Sequence, residues 1–337
     1  MTRHALYFVS PGEVDLREEP IPEPAADQLL VRTELSAISP GTECLVYEGN
    51  VPSEMAADTA LDALVPLDET DGGEAVDRDW LDRQVFAFHP HESHFCATAE
   101  ELYPLPEGIS AERATLLPTV ETAVTLVQDG EPKLGERAVV FGQGLVGLVT
   151  TALLGQFPLE SLLTVDYSAD RRALSRDLGA TESVHPEALG DALPLPGEAS
   201  TDSQPAAGEA VGADLTYELS GNPEALDAAV SATGYDGRIV VGSWYGTKPT
   251  ELDLGGRFHR SRISMTSSQV STIDPRLRGR WDRERRMELA WQQLADCGLG
   301  ELVTDRYPIT EAPAAYDALA ASTDGMVGTL FSYEDST

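Results

Sequence analysis

Lysine is almost missing from this 337-residue chain: Lys133 and Lys248 are the only two. Arginine supplies the other basic side chains, 23 in all against 57 acidic ones, for a net charge of −34. A surface so poor in cations is unsuited to neutralising phosphates, which argues against nucleic acid or an anionic membrane as partner. Cysteine is scarce too. Cys44, Cys96 and Cys297 show no paired spacing, which argues against a disulfide framework and against a four-cysteine structural zinc lobe. The chain has neither an N-terminal apolar stretch of signal-peptide type nor an apolar run long enough to span a bilayer, so the expected location is the cytoplasm.

What is present is an ordinary apolar fraction, 42%, which separates this chain from a disordered acidic tail. Folded and this acidic, it has the surface of a protein that stays hydrated in molar salt, where screening over a few ångström removes self-repulsion. An extreme halophile is the expected source. The length calls for two domains.

Up to about residue 124 the pattern is of short strands and turns (His4 to Val9, Gln28 to Ser36, Gln84 to Phe88, Phe95 to Ala97), broken by Pro and Gly. From residue 125 to 267, apolar strands alternate with helical segments: Ala138 to Phe141, Leu162 to Asp166, Leu215 to Leu219, Arg238 to Val241 and Arg262 to Thr266. Continuous apolar strands of that kind belong in a parallel sheet covered on both faces. The expected fold class is therefore α/β, a doubly wound parallel-sheet domain joined to a β-rich one. Pro186 to Gly212 has the composition of an exposed insertion, and residues 268–337, with a helix near Arg283 to Ala295 and a strand near Gly328 to Phe331, are expected to return to the first domain.

The sharpest motif follows the strand Val139-Val140-Phe141: Gly142-Gln143-Gly144-Leu145-Val146-Gly147, a G-x-G-x-x-G turn opening a helix. Glycine is needed first for a tight turn, second for backbone approach to a pyrophosphate and third for packing of helix on strand, while the helix N-terminus offers free N–H groups to the anion. Asp166 ends the next strand close to the expected offset of the ribose-binding acid, and a carboxylate there repels a 2′-phosphate, so NAD is favoured over NADP. Arg171 and Arg172 just downstream keep NADP open as an alternative. Later strand tips bring Ser220-Gly221 and Gly242-Ser243 to the expected nicotinamide end, with Trp244 and Tyr245 as walls of a substrate pocket. Nine arginines fall between Arg257 and Arg286, a density best explained by pairing with surface acids.

These features together resemble the medium-chain dehydrogenase/reductase superfamily. Supporting segments are Glu13-Val-Asp-Leu-Arg-Glu-Glu-Pro20, Leu105-Pro-Glu-Gly-Ile109 and Gly325-Met-Val-Gly-Thr-Leu330. Ser36-Ala-Ile-Ser-Pro-Gly-Thr-Glu43 and Val120-Glu-Thr-Ala-Val124 are most similar to the branch holding the bacteriochlorophyllide hydroxyethyl dehydrogenases. The resemblance implies a GroES-like catalytic domain over 1–124, a Rossmann domain over 125–267, hydride transfer with a small-molecule substrate, and a homodimer. It also exposes departures. Pro40 occupies the position of the family's zinc-ligand cysteine, with Cys44 displaced from it; no Gly-His-Glu segment occurs; and the stretch from Val51 to Asp77 is short. With the first two of three required ligands gone, zinc is not expected.

A minority metal reading rests on Phe88-His89-Pro90-His91-Glu92-Ser93-His94, where alternation lets His89 and His91 share a face, with His94 or Glu121 completing a site. Without metal, proton handling falls to Thr42, which resembles the family's relay hydroxyl, and to His89 or His91, with Glu121 orienting or relaying; a structural alternative places Glu121 as an acid in the first turn of a helix. The expected activity is a zinc-independent, NAD(H)-dependent oxidoreductase of a small alcohol, ketone or enone. Alternatives are an NADPH-dependent quinone or enoyl reductase and, in a different class, a non-catalytic nucleotide-binding or interaction protein.

Overall fold

The computed structural model describes residues 2–52, 80, 83–193, 212–321 and 325–333. They form two compact units, Met1–Leu116 with Gly300–Thr337 and Leu117–Leu299.

The first unit opens with an antiparallel hairpin of β1 (Thr2–Ser10) and β2 (Glu13–Pro20). The single run expected from Gln28 to Ser36 divides into β3 (Gln28–Arg32) and β4 (Leu35–Ala37), because each finds its own partner. After a helix at Pro40–Tyr47 and the two-residue strand β5 (Val85–Phe86) comes β6 (His94–Thr98), antiparallel to β3, and then β7 (Tyr103–Pro104), which pairs with β5.

The second unit carries a six-stranded, wholly parallel sheet of β8 (Arg137–Phe141), β9 (Ser161–Val165), β10 (Glu182–Val184), β11 (Ala213–Glu218), β12 (Thr233–Val241) and β13 (Ser264–Ser267), in the order β10-β9-β8-β11-β12-β13. Its central strands β8 and β11 are almost wholly buried, as a sheet sandwiched by helices requires. Strand order reverses between β8 and β11, the place where open α/β sheets bind ligands beyond their carboxyl ends. Helix starts follow capping chemistry: Ser168, Asn222 and Asp282 each accept a main-chain N–H from the first turn of their helix.

Two strands return to the first unit: β14 (Val303–Pro308) runs parallel to β15 (Gly328–Ser332), which pairs antiparallel with β4. The core there joins both ends of the chain, with Leu6, Val14 and Ile38 packing against Ile309, Tyr316 and Phe331.

Two expectations need correction. Residues 268–299 do not return to the first domain; they stay with the second unit, where Met287, Ala290 and Leu294 of the helix Arg283–Asp296 are buried and Arg286 is tied to the helix Leu117–Gly130. The stretch from Pro186 is not exposed from its start, since Leu189 and Leu193 pack into the sheet's core. The rest of that stretch, 194–211, and most of Val51 to Asp77 lie outside the described residues.

Candidate functional site

In the second unit, Gly142 has φ +85°, and a Cβ there would sit 2.4 Å from Ser220 Cα in the adjoining loop. A Cβ on Gly147 would lie 1.9 Å from the Gly142 carbonyl oxygen, so helix and turn touch only because Gly147 lacks one. Gly144 differs: it caps the helix Leu145–Leu154, and a Cβ on it would meet no described atom within 4 Å. The open side of the turn is thus the side that faces the helix N-terminus, where Leu145 and Val146 begin the first turn. The side chain of Gln143 points inward, donating to the Gly142 carbonyl and accepting from Thr151.

Asp166 follows β9 and reaches this turn. Its Oδ2 accepts the Gln143 main-chain N–H at 2.7 Å and its Oδ1 accepts the Ser168 N–H at 2.8 Å. Each oxygen retains a lone pair for a further donor. Arg172 is engaged locally, donating to the carbonyls of Asp166 and Tyr167. Arg171 lies in the first turn of the helix Ala169–Asp177, its N–H on Ser168 Oγ.

Beyond β11 and β12 the loops interlock. Gly221 N–H donates to Ser243 Oγ at 2.8 Å, and Gly242 and Ser243 both donate to the Glu218 carbonyl. Tyr245 was expected to wall a substrate pocket; its hydroxyl is turned back to donate to the fully buried carboxylate of Glu218. Trp244 is half-buried beside it.

Glu121 is the clearest correction. It stands in the second turn of the helix Leu117–Gly130, not the first, and both Nε and Nη2 of Arg286 donate to its Oε1 at 3.1 and 2.7 Å. Both partners are buried and Arg286 also donates to the Thr272 carbonyl, so this ion pair ties the helix Leu117–Gly130 to the helix Arg283–Asp296. Of the other arginines between Arg257 and Arg286, Arg262 pairs with Asp236 and Arg276 with both Asp274 and Glu131, whereas Arg257 donates to the Thr233 carbonyl.

In the first unit, Pro40 is accepted because it opens a helix, where its missing N–H is no loss. One turn on, Glu43 is buried: its Oε1 accepts the Ser39 N–H at 2.6 Å, and its Oε2 accepts from the hydroxyl of Tyr316 and faces His91 Nε2 at 3.1 Å. With the carboxylate charged, Nε2 carries the proton and Nδ1 accepts from Ser36 Oγ, 2.6 Å away; Ser36 in turn lies 2.9 Å from the hydroxyl of Tyr333. Burial, with Glu43 nearby, raises the pKa of both phenols, so Tyr316 and Tyr333 act as neutral donors.

His89 and His91 both line a cavity of about 60 Å3, room for one or two waters, with Glu43, Leu6, Phe8, Ala37 and Pro90. His89 stacks on Phe95 with ring centroids 3.8 Å apart, and burial holds its pKa down to about 4. His94, the first residue of β6, does not join them; its Nδ1 meets Ser93 Oγ. Glu92 is held by Arg3 at 2.8 Å. Thr42 is half-exposed, on the same helix as buried Glu43.

Sequence reading missed Glu43, Ser36, Tyr316, Tyr333 and Glu218. A carboxylate one turn into a helix that starts Ser-Pro is a local signal for Glu43. The tyrosines lie more than 270 residues along the chain from their partners, beyond any local pattern.

Residues 146–284 match the family model described as zinc-binding dehydrogenase. The sorbitol dehydrogenase of Rattus norvegicus is 23% identical over 238 residues, covering 70% of this chain and 59% of that protein. The chain thus spans about three-fifths of the length of this curated relative. Among solved structures, zinc dependent alcohol dehydrogenase 2 from Streptococcus pneumonia superposes with TM-score 0.74 at 19% identity, covering 100% of both chains. Acetophenone reductase from Geotrichum candidum, solved in complex with NAD, gives TM-score 0.71 at 12% identity, covering 100% of this chain and 98% of that one. The fold is that of a GroES-like unit joined to a Rossmann unit, as in these solved dehydrogenases, and residues 146–284 are similar to the zinc-binding dehydrogenase family.

The family description implies zinc, and the side chains described do not fit it. Pro40 supplies no thiolate, Glu43 and His91 are committed to each other and to Ser39, Tyr316 and Ser36, and among the described residues no three His, Cys, Asp or Glu side chains converge.

Proposed function

We propose that this protein is a zinc-independent oxidoreductase that uses NAD(H) to interconvert a small alcohol with a ketone, or to reduce an enone. The observation that carries this reading is the cradle of Gly142, Gly144 and Gly147 at the switch point of a parallel sheet, closed by the carboxylate of Asp166. When bound, the nicotinamide supplies or accepts the hydride. The N-terminal amides after Gly144 bind the pyrophosphate, and Asp166 accepts from the ribose hydroxyls while repelling a 2′-phosphate. In the other unit, Thr42 and His91 are assigned the proton: His91, oriented by Glu43 and backed by Ser36 and Tyr333, belongs to a chain of exchangeable protons. The relative solved with NAD is a reductase of acetophenone, which supports a carbonyl substrate class.

The test is a titration of the purified chain in molar KCl with NADH and separately NADPH, followed by a panel of carbonyls and alcohols with and without chelator. NADH binding in preference, with turnover unaffected by chelator, is the expected result. Binding of neither nucleotide overturns the reading. Nucleotide binding with no turnover on the panel returns the non-catalytic alternative.

A further inference from the structure

Glu218, the last residue of β11, is completely buried and has no place in the function described above. Its surroundings are all donors. Ser220 gives its main-chain N–H at 2.8 Å and its hydroxyl to one carboxylate oxygen, and Tyr245 gives its hydroxyl to the other. The carbonyl of the same residue accepts the N–H of Gly242 at 3.0 Å and of Ser243 at 3.2 Å. One residue therefore ties down both loops that leave the carboxyl edge of the sheet after β11 and β12.

Those loops also touch the glycine turn. Leu219 N–H donates to the Phe141 carbonyl, and the Gly142 α-carbon packs so closely on Ser220 that any side chain at Gly142 would collide with it. Gly221, with φ +69°, resembles Gly144 in one respect: a Cβ on it would meet no described atom within 4 Å. Across β9, β8, β11 and β12 the edge presents Asp166, the glycine turn, then Ser220-Gly221 and Ser243. That is three steps of about 4.8 Å each from the acid that takes the adenosine ribose. The far end of the row is held by Glu218.

We infer that Glu218 is a positioning residue for the nicotinamide ring of the cofactor, acting through Ser220 and Tyr245. This rests on the dinucleotide reading above and extends it: Glu218 touches no ligand, and its carboxylate sets the loop conformation that a ligand meets. Every donor around it needs an acceptor. Glu218→Gln keeps the shape but removes the charge and turns one oxygen into an amide NH2, so one of the hydroxyls loses its acceptor. The Tyr245 phenol, held neutral by burial and by the adjacent carboxylate, serves Glu218 as a donor and not as an acid.

The experiment compares NADH with adenosine diphosphate ribose, which has the adenosine, pyrophosphate and second ribose but no nicotinamide. Wild type, Glu218→Gln and Tyr245→Phe are titrated with both in molar KCl. For Glu218→Gln the expected result is a rise of about tenfold in Kd for NADH with the Kd for adenosine diphosphate ribose within about twofold of wild type, and a smaller rise in the same direction for Tyr245→Phe. A purely structural role would weaken both ligands alike. That outcome, or an NADH affinity unchanged in both variants, overturns the inference. Should Glu218→Gln not fold, Tyr245→Phe, which removes a single hydroxyl, decides alone. Failure of the wild type to bind either ligand would instead sink the dinucleotide reading.

Discussion

Gln143 gives its main-chain N–H to Asp166 Oδ2 at 2.7 Å, joining the middle of the glycine turn to the acid at the tip of the next strand. The bond makes one rigid object of two features read separately in the chain. Gln143 holds the turn from below as well, through its side chain to Gly142 and Thr151. The cradle is therefore largely built before a ligand arrives, which reduces the ordering that binding must supply.

Asp166→Ala should weaken NADH and reduce the margin over NADPH. Loss of a charged acceptor for a ribose hydroxyl is worth roughly 1.5–3 kcal/mol, or about 10- to 100-fold in Kd. NADPH, relieved of a carboxylate beside its phosphate, should weaken less or tighten. Parallel titrations with the two reduced cofactors measure this, and an unchanged ratio of the two Kd values would count against the assignment.

Two glycines of one motif should fail differently. Gly147→Ala places a methyl group against the Gly142 carbonyl and should lower the melting temperature by roughly 3–10 °C, the effect of about 1–3 kcal/mol of overpacking. Gly144→Ala fills space that no described atom occupies, so the apo protein should melt as wild type while NADH binding is lost. Thermal melts with and without NADH separate the two.

Glu121→Ala should be strongly destabilising, by about 3–5 kcal/mol, because it leaves the Arg286 guanidinium buried without its partner. Replacing both, Glu121→Leu with Arg286→Met, should recover most of that loss. Denaturant unfolding of the single and double variants is the measurement. A single variant as stable as wild type would return Glu121 to consideration as a functional acid.

The His89 ring is held neutral in the folded state, with its pKa lowered to about 4, whereas in the unfolded chain it titrates near 6.5. Between these values the unfolded state binds more protons, so stability falls as pH falls from 6.5 towards 4. Glu92, 4.0 Å away, works in the opposite direction: burial raises its pKa to about 7, so the folded state holds its proton longer and stability falls as pH rises between about 4.5 and 7. Comparison with His89→Gln isolates the first effect. The gap in melting temperature between variant and wild type should move in favour of the variant as pH is lowered through that window, and a gap independent of pH would refute the burial argument.

Thr42→Val should leave NADH affinity within about twofold and lower kcat by roughly 10²-fold, the scale of a lost general acid–base step. Steady-state kinetics beside the binding titration test it. An unaffected kcat would move the proton to His91 and its partners.

Local chemistry made the nucleotide unit legible: apolar runs that can only be central parallel strands, glycines at the spacing a phosphate turn needs, and an acid at the following strand tip all act within about thirty residues of one another. The same local reading singled out Pro40, Thr42 and the histidines of the first unit as candidates, since each residue type limits what its position can do. Tertiary structure decided which groups meet. Glu121 meets its buried partner, Arg286, from 165 residues along the chain. His91 acquired an orientation only when Glu43, Ser36 and the C-terminal Tyr333 closed around it. Glu218, inconspicuous at the end of a strand, became the hub of two loops. A buried charge is tolerated only where donors converge on it, and convergence of that kind is a property of the folded chain.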